Sequence, residues 1–265
     1  MNKHDLEHKL LRGSVLYLDD IPTYRITLGE MADAGFSKLQ NIISILCMDD
    51  DKANELLTGA VENPNTFMLI MLNMLQEHAQ IKKTEIEPDH VSNSLFILIP
   101  AFLNLFFRKK VVFHQDYGFI IGDDNDEKYV LNHLNYDNFR EILKQRNCLV
   151  DLDDVNECEN PSGEMAKKLL EKRKKLREKV KKAKSISSDD DSLTMTDLIS
   201  IFAQAEHMSL QEVYESYDIY QFNNQFNRLK IMDDFHVNIQ ALIAGAKSED
   251  VKLQHWLSKI KKPND

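Results

Sequence analysis

Ile219, Phe222, Phe226, Leu229, Met232, His236, Ile239 and Ile243 recur at steps of three and four. That spacing places them on one face of an α-helix. No proline interrupts the run. Gly245 follows where a left-handed C-cap residue is expected, and Lys247 stands where a cation suits the helix dipole. The predicted helix is about 26 residues long, roughly 39 Å at 1.5 Å per residue. Its opposite face carries Gln221, Asn224, Asn227, Arg228 and Asp234.

Upstream, the pattern is mostly helical. Val15 to Tyr24 reads as a short extended opening with Asp19, Asp20 and Pro22 in a turn. Thr27 and Glu30 form a capping box for a short helix that Gly35 ends. Phe36, Leu39, Ile42, Ile43 and Leu46 build a second helix. Asp49, Asp50 and Asp51 open a third, which stops near Gly59. Pro64 opens a helix that is apolar nearly all round from Phe67 to Leu75, the mark of a buried element. Ser94 to Phe107 is another, expected to bend at Pro100. Then the period changes to two. Short β-type runs at 111–113, 119–121 and 129–131, punctuated by Gly118 and Gly122, predict a small hairpin. Asn135 or Asp137 caps a helix with Phe139, Ile142 and Leu143, ending near Asn147.

This gives a mainly α protein in three parts. Residues 1–152 form an N-terminal helical domain with a β-hairpin. Residues 153–192 are a charged linker holding a Lys-rich helix. Residues 193–265 form a small C-terminal helical domain. In the last part, Thr194 or Thr196 caps one helix, and Ser209 with Glu212 makes a capping box for the next. Ser248 caps a final helix through Val251, Leu253, Trp256 and Ile260.

Charge sharpens the division. The 265 residues carry a formal charge of −10. Residues 164–184 hold eleven Lys or Arg against three Glu, so the rest of the chain is at −18. A bulk acidic protein does not seek nucleic acid or anionic membrane as a whole. The basic run lacks aromatics to stack bases and reads as a solvated linker helix. The most apolar run, Leu95–Phe107, is short of the roughly 20 residues a bilayer span needs. Cys47, Cys148 and Cys158 form no CxxC pair, which argues for reduced thiols in a cytosol.

Signatures of chemistry are sparse. The sequence holds no phosphate loop, dinucleotide fingerprint, nucleophile elbow or HExxH. Counting a calcium loop from Asp123 puts Lys128 at the sixth position and Leu134 at the twelfth, where Gly and Glu are required. The nine His do not cluster, and His236 reads as a core-edge residue. No catalytic residue, metal site or cofactor is expected. The dense aromatic set Tyr214, Tyr217, Tyr220, Phe222 and Phe226 reads as helix–helix core, with part of the stripe open to a partner helix. The positions assigned to partner binding are Tyr217, Tyr220, Phe222, Phe226, Arg228 and Trp256. Apolar faces around Phe67 to Leu75 and Leu95–Phe107 are expected to shield a partner's amphipathic helices.

Two stretches carry a resemblance. One is LGEMADAGFSKLQNIISILCM at 28–48. The other is 218–256, with Tyr220, Gln221, Phe222, Phe226, Arg228, the Ala244-Gly245-Ala246-Lys247 turn and Trp256. Together, over about a quarter of the chain, they resemble tail-morphogenesis proteins of phages infecting Gram-positive bacteria, particularly tail assembly chaperones. The resemblance implies a non-enzymatic role in the host cell cytoplasm. It implies that an N-terminal part coats the tape-measure protein while a C-terminal part recruits tail tube or baseplate subunits. A homo-oligomer is compatible with it. A structural tail or baseplate component retained in the virion is the alternative, and an enzyme with an unrecognised site is a third class.

Overall fold

The computed structural model describes residues 3–57, 65–83, 94–123, 127–149, 193–245 and 255–257. The fold is mainly α, with ten helices and two small antiparallel sheets among the described residues. Two compact units divide the chain. One is Met1–Leu149 with Tyr214–Arg228, and the other is Val150–Val213 with Leu229–Asp265. The linker expected at 153–192, the turn residues 124–126, Pro64 and most of the final helix lie outside the described residues.

In the first unit, α1 (Lys3–Arg12) precedes the first stretch read from sequence. Its carboxyl end closes on Gly13 at φ +68, where Gly13 N–H donates to Leu10 and Ser14 N–H to Lys9. This paired closure satisfies carbonyls that a helix end leaves free. Strands β1 (Leu16–Leu18) and β2 (Ile21–Thr23) follow as a hairpin with Asp19 and Asp20 at the tip. Pro22 therefore lies in a strand and not in the turn. It sits opposite Tyr17, a position next to the closing Leu18–Ile21 pair whose N–H faces away from the partner strand, so the missing donor costs no ladder bond.

Helix α2 (Leu28–Ala34) starts at the predicted cap, and α3 (Phe36–Leu46) follows it. Thr27 and Glu30 exchange both capping bonds, and Gly35 at φ +93 separates the two helices. Helix α4 (Asp50–Leu57) follows, then α5 (Thr66–Lys83) and α6 (Leu95–Phe107), the last capped by the Ser94 hydroxyl. Helix α6 continues through Pro100, whose ring denies the Phe96 carbonyl its intrahelical donor. The predicted hairpin is a three-stranded meander of β3 (Val111–His114), β4 (Gly118–Ile121) and β5 (Tyr129–Leu131). Period-two runs of three or four residues mark strands but do not say which pairs form, so the third partner was missed. Helix α7 (Tyr136–Arg146) closes the unit's first segment.

The core centres on α6 and α7. Phe106 meets Phe107 and Phe139 edge-on, with centroids 5.3 and 5.6 Å apart. Such tilted ring pairs are favoured over face-to-face sandwiches. The Tyr136 ring packs on Phe67 and Phe139, and its hydroxyl donates to the Leu46 carbonyl at 2.7 Å. Burial pushes that phenol well above its ordinary pKa, so it stays a donor. Helix α5 buries Phe67, Ile70 and Met74 but leaves Met68 exposed, and α6 leaves Ile97 exposed. Most of the other apolar side chains of the two runs are half-buried.

At one edge, Asp50 accepts from the Thr66 amide and hydroxyl and from both Arg140 terminal nitrogens. Burial raises its pKa, but the Arg140 and Thr66 bonds outweigh that and hold the carboxyl below its ordinary value. A second pair, Arg108 with Glu30, holds the start of α2 to the end of α6. Arg108 adopts φ 53 there as the left-handed cap of α6.

In the second unit, α8 (Met195–Ala205) starts at a Thr194–Asp197 capping box. Helix α9 (Leu210–Ser216), which contributes residues to both units, starts at Ser209, whose hydroxyl and amide both meet Glu212. Between them His207 at φ 56 closes α8. Helix α10 (Ile219–Ile243) contributes to both units and ends before Gly245 at φ +96.

Candidate partner-binding surface

The start of α10 is anchored in the first unit. Asp218 and Gln221 form a reciprocal cap: the Asp218 carboxylate accepts from the Gln221 amide at 2.8 Å, and the Gln221 side-chain oxygen accepts from the Asp218 amide at 3.1 Å. Gln221 then does more than cap. Its oxygen accepts from Arg25 at 2.8 Å and its Nε2 donates to the Leu11 carbonyl at 2.8 Å. Arg25 also donates to the Ser216 carbonyl. The backbone joins in, with a Thr27–Asp218 antiparallel bridge and a Leu28-to-Tyr217 bond. Ile219 and Phe222 complete the anchor as buried apolar contacts.

This decides where the six predicted partner-binding residues stand. Phe222 is 1 % exposed and belongs to the core of the first unit. Phe226 is half-buried and stacks on Phe222 at 5.6 Å. Tyr217, Tyr220 and Arg228 are half-buried. Burial raises the Tyr220 phenol, with Glu7, the Cys148 thiol and Asp218 adding to the shift. Trp256 is 42 % exposed and stacks on His255, whose ring lies 5.2 Å from Phe235. Phe222 and Phe226 belong to the first unit, Trp256 to the second.

Exposed apolar area appears further along α10. The three-and-four spacing continues to Ile243, but burial does not. Met232 is exposed, Val237 is 56 % exposed and Ile243 81 %. His236, expected at a core edge, is exposed. Leu229, Ile231, Phe235, Ile239 and Leu242 are half-buried. A helix apolar on most sides is normally enclosed, and clustered exposed apolar groups mark interaction sites. Burying one Val or Ile side chain of this kind is worth about 1.5–3 kcal/mol.

The second unit offers another apolar opening. Ile201, Ala203, Ala205, Met208 and Leu210 line a groove between α8 and α9, with Ile201 and Leu210 exposed. Residues 193–216 carry Asp197, Glu206, Glu212 and Glu215 and no Lys or Arg. Cap bonds from Thr194 and Ser209 hold Asp197 and Glu212 below their ordinary carboxylate range, so both stay ionised. An apolar groove on a segment rich in acids suits a basic amphipathic helix.

Among the described residues, no group of three His, Cys, Asp or Glu is placed to hold a metal, and no helix is long and apolar enough to cross a membrane. The polar residues that anchor α10 went unnoticed in sequence, although Asp218-x-x-Gln221 is a capping pattern. Arg25 stands alone in an irregular stretch, where periodicity carries no signal.

Residues 181–261 match the family model described as the YomV second domain. The match points to a phage-derived family. It covers less than a third of the chain and includes the α8–α9 groove and the whole of α10. No curated protein and no solved structure matches the chain significantly.

Proposed function

We propose that this protein is a non-enzymatic, protein-binding factor of phage particle assembly, acting as a tail assembly chaperone. The observation that carries the reading is the set of exposed apolar side chains along the second half of α10, Met232 and Ile243 on one face and Val237 on another, within the span similar to the YomV second domain. That set belongs to a helix whose beginning is firmly anchored and whose second half offers apolar surface to another chain. In the chaperone role, partner helices of the tape-measure protein or of tail tube and baseplate subunits cover this surface until the tail assembles. The apolar α8–α9 groove, on a segment with four acids and no Lys or Arg, adds a preference for partner helices with a Lys- or Arg-flanked apolar stripe. The place of action is the host cytoplasm.

Co-expression of the full chain with the tape-measure protein of the same phage tests the reading. The expected result is a complex that survives size-exclusion chromatography and is lost in a Val237→Asp, Ile243→Asp double variant that melts like wild type. No complex with wild type, or an undiminished complex with the variant, overturns it. Mass spectrometry of purified virions adds the second arm. A chaperone is absent from the particle, whereas recovery of the chain there would make it a structural tail or baseplate component.

A further inference from the structure

Arg146, at the carboxyl end of α7, is 5 % exposed, yet only part of its guanidinium is matched. Nη2 donates to the Ser14 carbonyl at 2.9 Å and the Thr23 carbonyl at 3.2 Å. Nε and Nη1 find no acceptor among the protein atoms. Buried N–H groups are rarely left so, and a charged group pays more than a neutral one.

Arg146 borders a cavity in the first unit. Arg25, Asn147 and Asp218 share its polar side, and Phe106 and Leu143 its apolar side. Asp218 is 4 % exposed, and its carboxylate accepts from the Gln221 amide and from the Tyr220 amide. Its charge helps to keep Arg146 ionised, but the two form no direct hydrogen bond. The space open to the centre of a water is about 20 Å³. One water needs about 10–15 Å³ by that measure and two to four polar partners, so the cavity has room for one.

We infer that a single internal water sits between Arg146 and Asp218, accepting from the unmatched nitrogens of Arg146 and donating to the Asp218 carboxylate. Water fits where an anion does not. The cavity presents donors on one wall and a carboxylate on another, so a chloride would satisfy Arg146 but face Asp218. The water also closes the polar contact between α7 and the segment Tyr214–Arg228, which reaches the unit through Asp218. It makes Arg146, the water and Asp218 one hydrogen-bonded relay, and such chains strengthen each link in a low-dielectric interior.

The test is a crystal structure of the full chain at a resolution that orders internal waters, with a bromide soak as a second arm. The expected result is one peak within hydrogen-bond distance of both Arg146 and Asp218, with no anomalous bromide signal. An empty cavity, a direct Arg146–Asp218 bond or a bromide ion there overturns the inference. In solution, water-nuclear relaxation dispersion counts long-lived internal waters. Arg146→Met, which keeps length and removes the donors, should lower that count by one, and Asp218→Asn, which keeps a hydrogen-bonding wall, should leave it unchanged. An equal count in wild type and Arg146→Met also overturns it.

Discussion

The amide of Leu28 donates to the carbonyl of Tyr217 at 2.9 Å, so the first residue of α2 is tied to the residue before the Asp218 cap of α10. The contact leaves little room beside it. A Cβ on Gly29 would lie 3.2 Å from the Tyr214 carbonyl oxygen. Gly29→Ala sets a gain in helix propensity of about 1 kcal/mol against this tight contact and should change stability little. Gly29→Val adds two methyls at the same spot and should destabilise by about 1–3 kcal/mol. Amide hydrogen exchange at Leu28 reads the difference: protection should survive in the Ala variant and drop in the Val variant.

Along α10, burial switches within one continuous helix. Phe222→Ala opens a cavity in the first unit and should cost about 3–5 kcal/mol in urea denaturation. Ile243→Asp touches a side chain already in solvent and should stay within about 0.5 kcal/mol. A comparable loss in both variants would mean that the second half of the helix is packed after all.

Why was this switch hidden in the sequence? Periodicity reports which residues share a face, and the three-and-four spacing runs unbroken from Ile219 to Ile243. Whether that face meets anything depends on surfaces far away in the chain. Here the first turn meets Arg25, Leu11 and Leu28, and nothing in the local pattern marks them. Caps were legible where their chemistry is local: Thr27 with Glu30, Thr194 with Asp197, and Ser209 with Glu212 all act within one turn, whereas Asn135 starts α7 without a side-chain cap bond. The strand pairing of β5 and the burial of Arg146 were not, since each rests on contacts distant in sequence. Of the candidate surface, the helix itself could be read, but the exposed part of it could not.

Gly118 is a position where only glycine fits. It takes φ +95 beside the three-residue turn 115–117, and a Cβ there would come within 2.5 Å of the Leu131 carbonyl oxygen and 2.9 Å of the Phe67 ring. One obstacle is backbone of the neighbouring strand, which cannot swing aside as a side chain can. Gly118→Ala should cost about 2 kcal/mol or more, combining conformational strain with the clash. Thermal unfolding checks this: the expected outcome is a clear fall in Tm, with the β3–β4–β5 amides losing exchange protection first.

Asp50 and Asp218 should bend the pH dependence of stability in opposite directions. The Asp50 carboxyl is held below its ordinary value of 3.8 when folded, although burial alone would raise it. The unfolded chain then binds more protons in that window, so this contribution is present above about pH 4 and is lost as the pH falls through the folded pKa. Asp218 is raised, because burial outweighs its bonds to Gln221 and the fields of Arg146 and Arg25. The folded chain binds the extra proton there, so its contribution is complete below 3.8 and fades as the pH climbs through the folded value. Asp50→Asn should therefore flatten the acid limb of the stability curve. At pH 7 it should cost about 1–2 kcal/mol, discounted because the carboxyl is partly in solvent. Asp218→Asn retains a capping side chain, and its stability relative to wild type should improve as the pH rises from 3 towards 7. Urea denaturation at half-unit pH steps measures both, and parallel curves for wild type and Asp218→Asn would show that the carboxyl keeps its ordinary pKa in the fold.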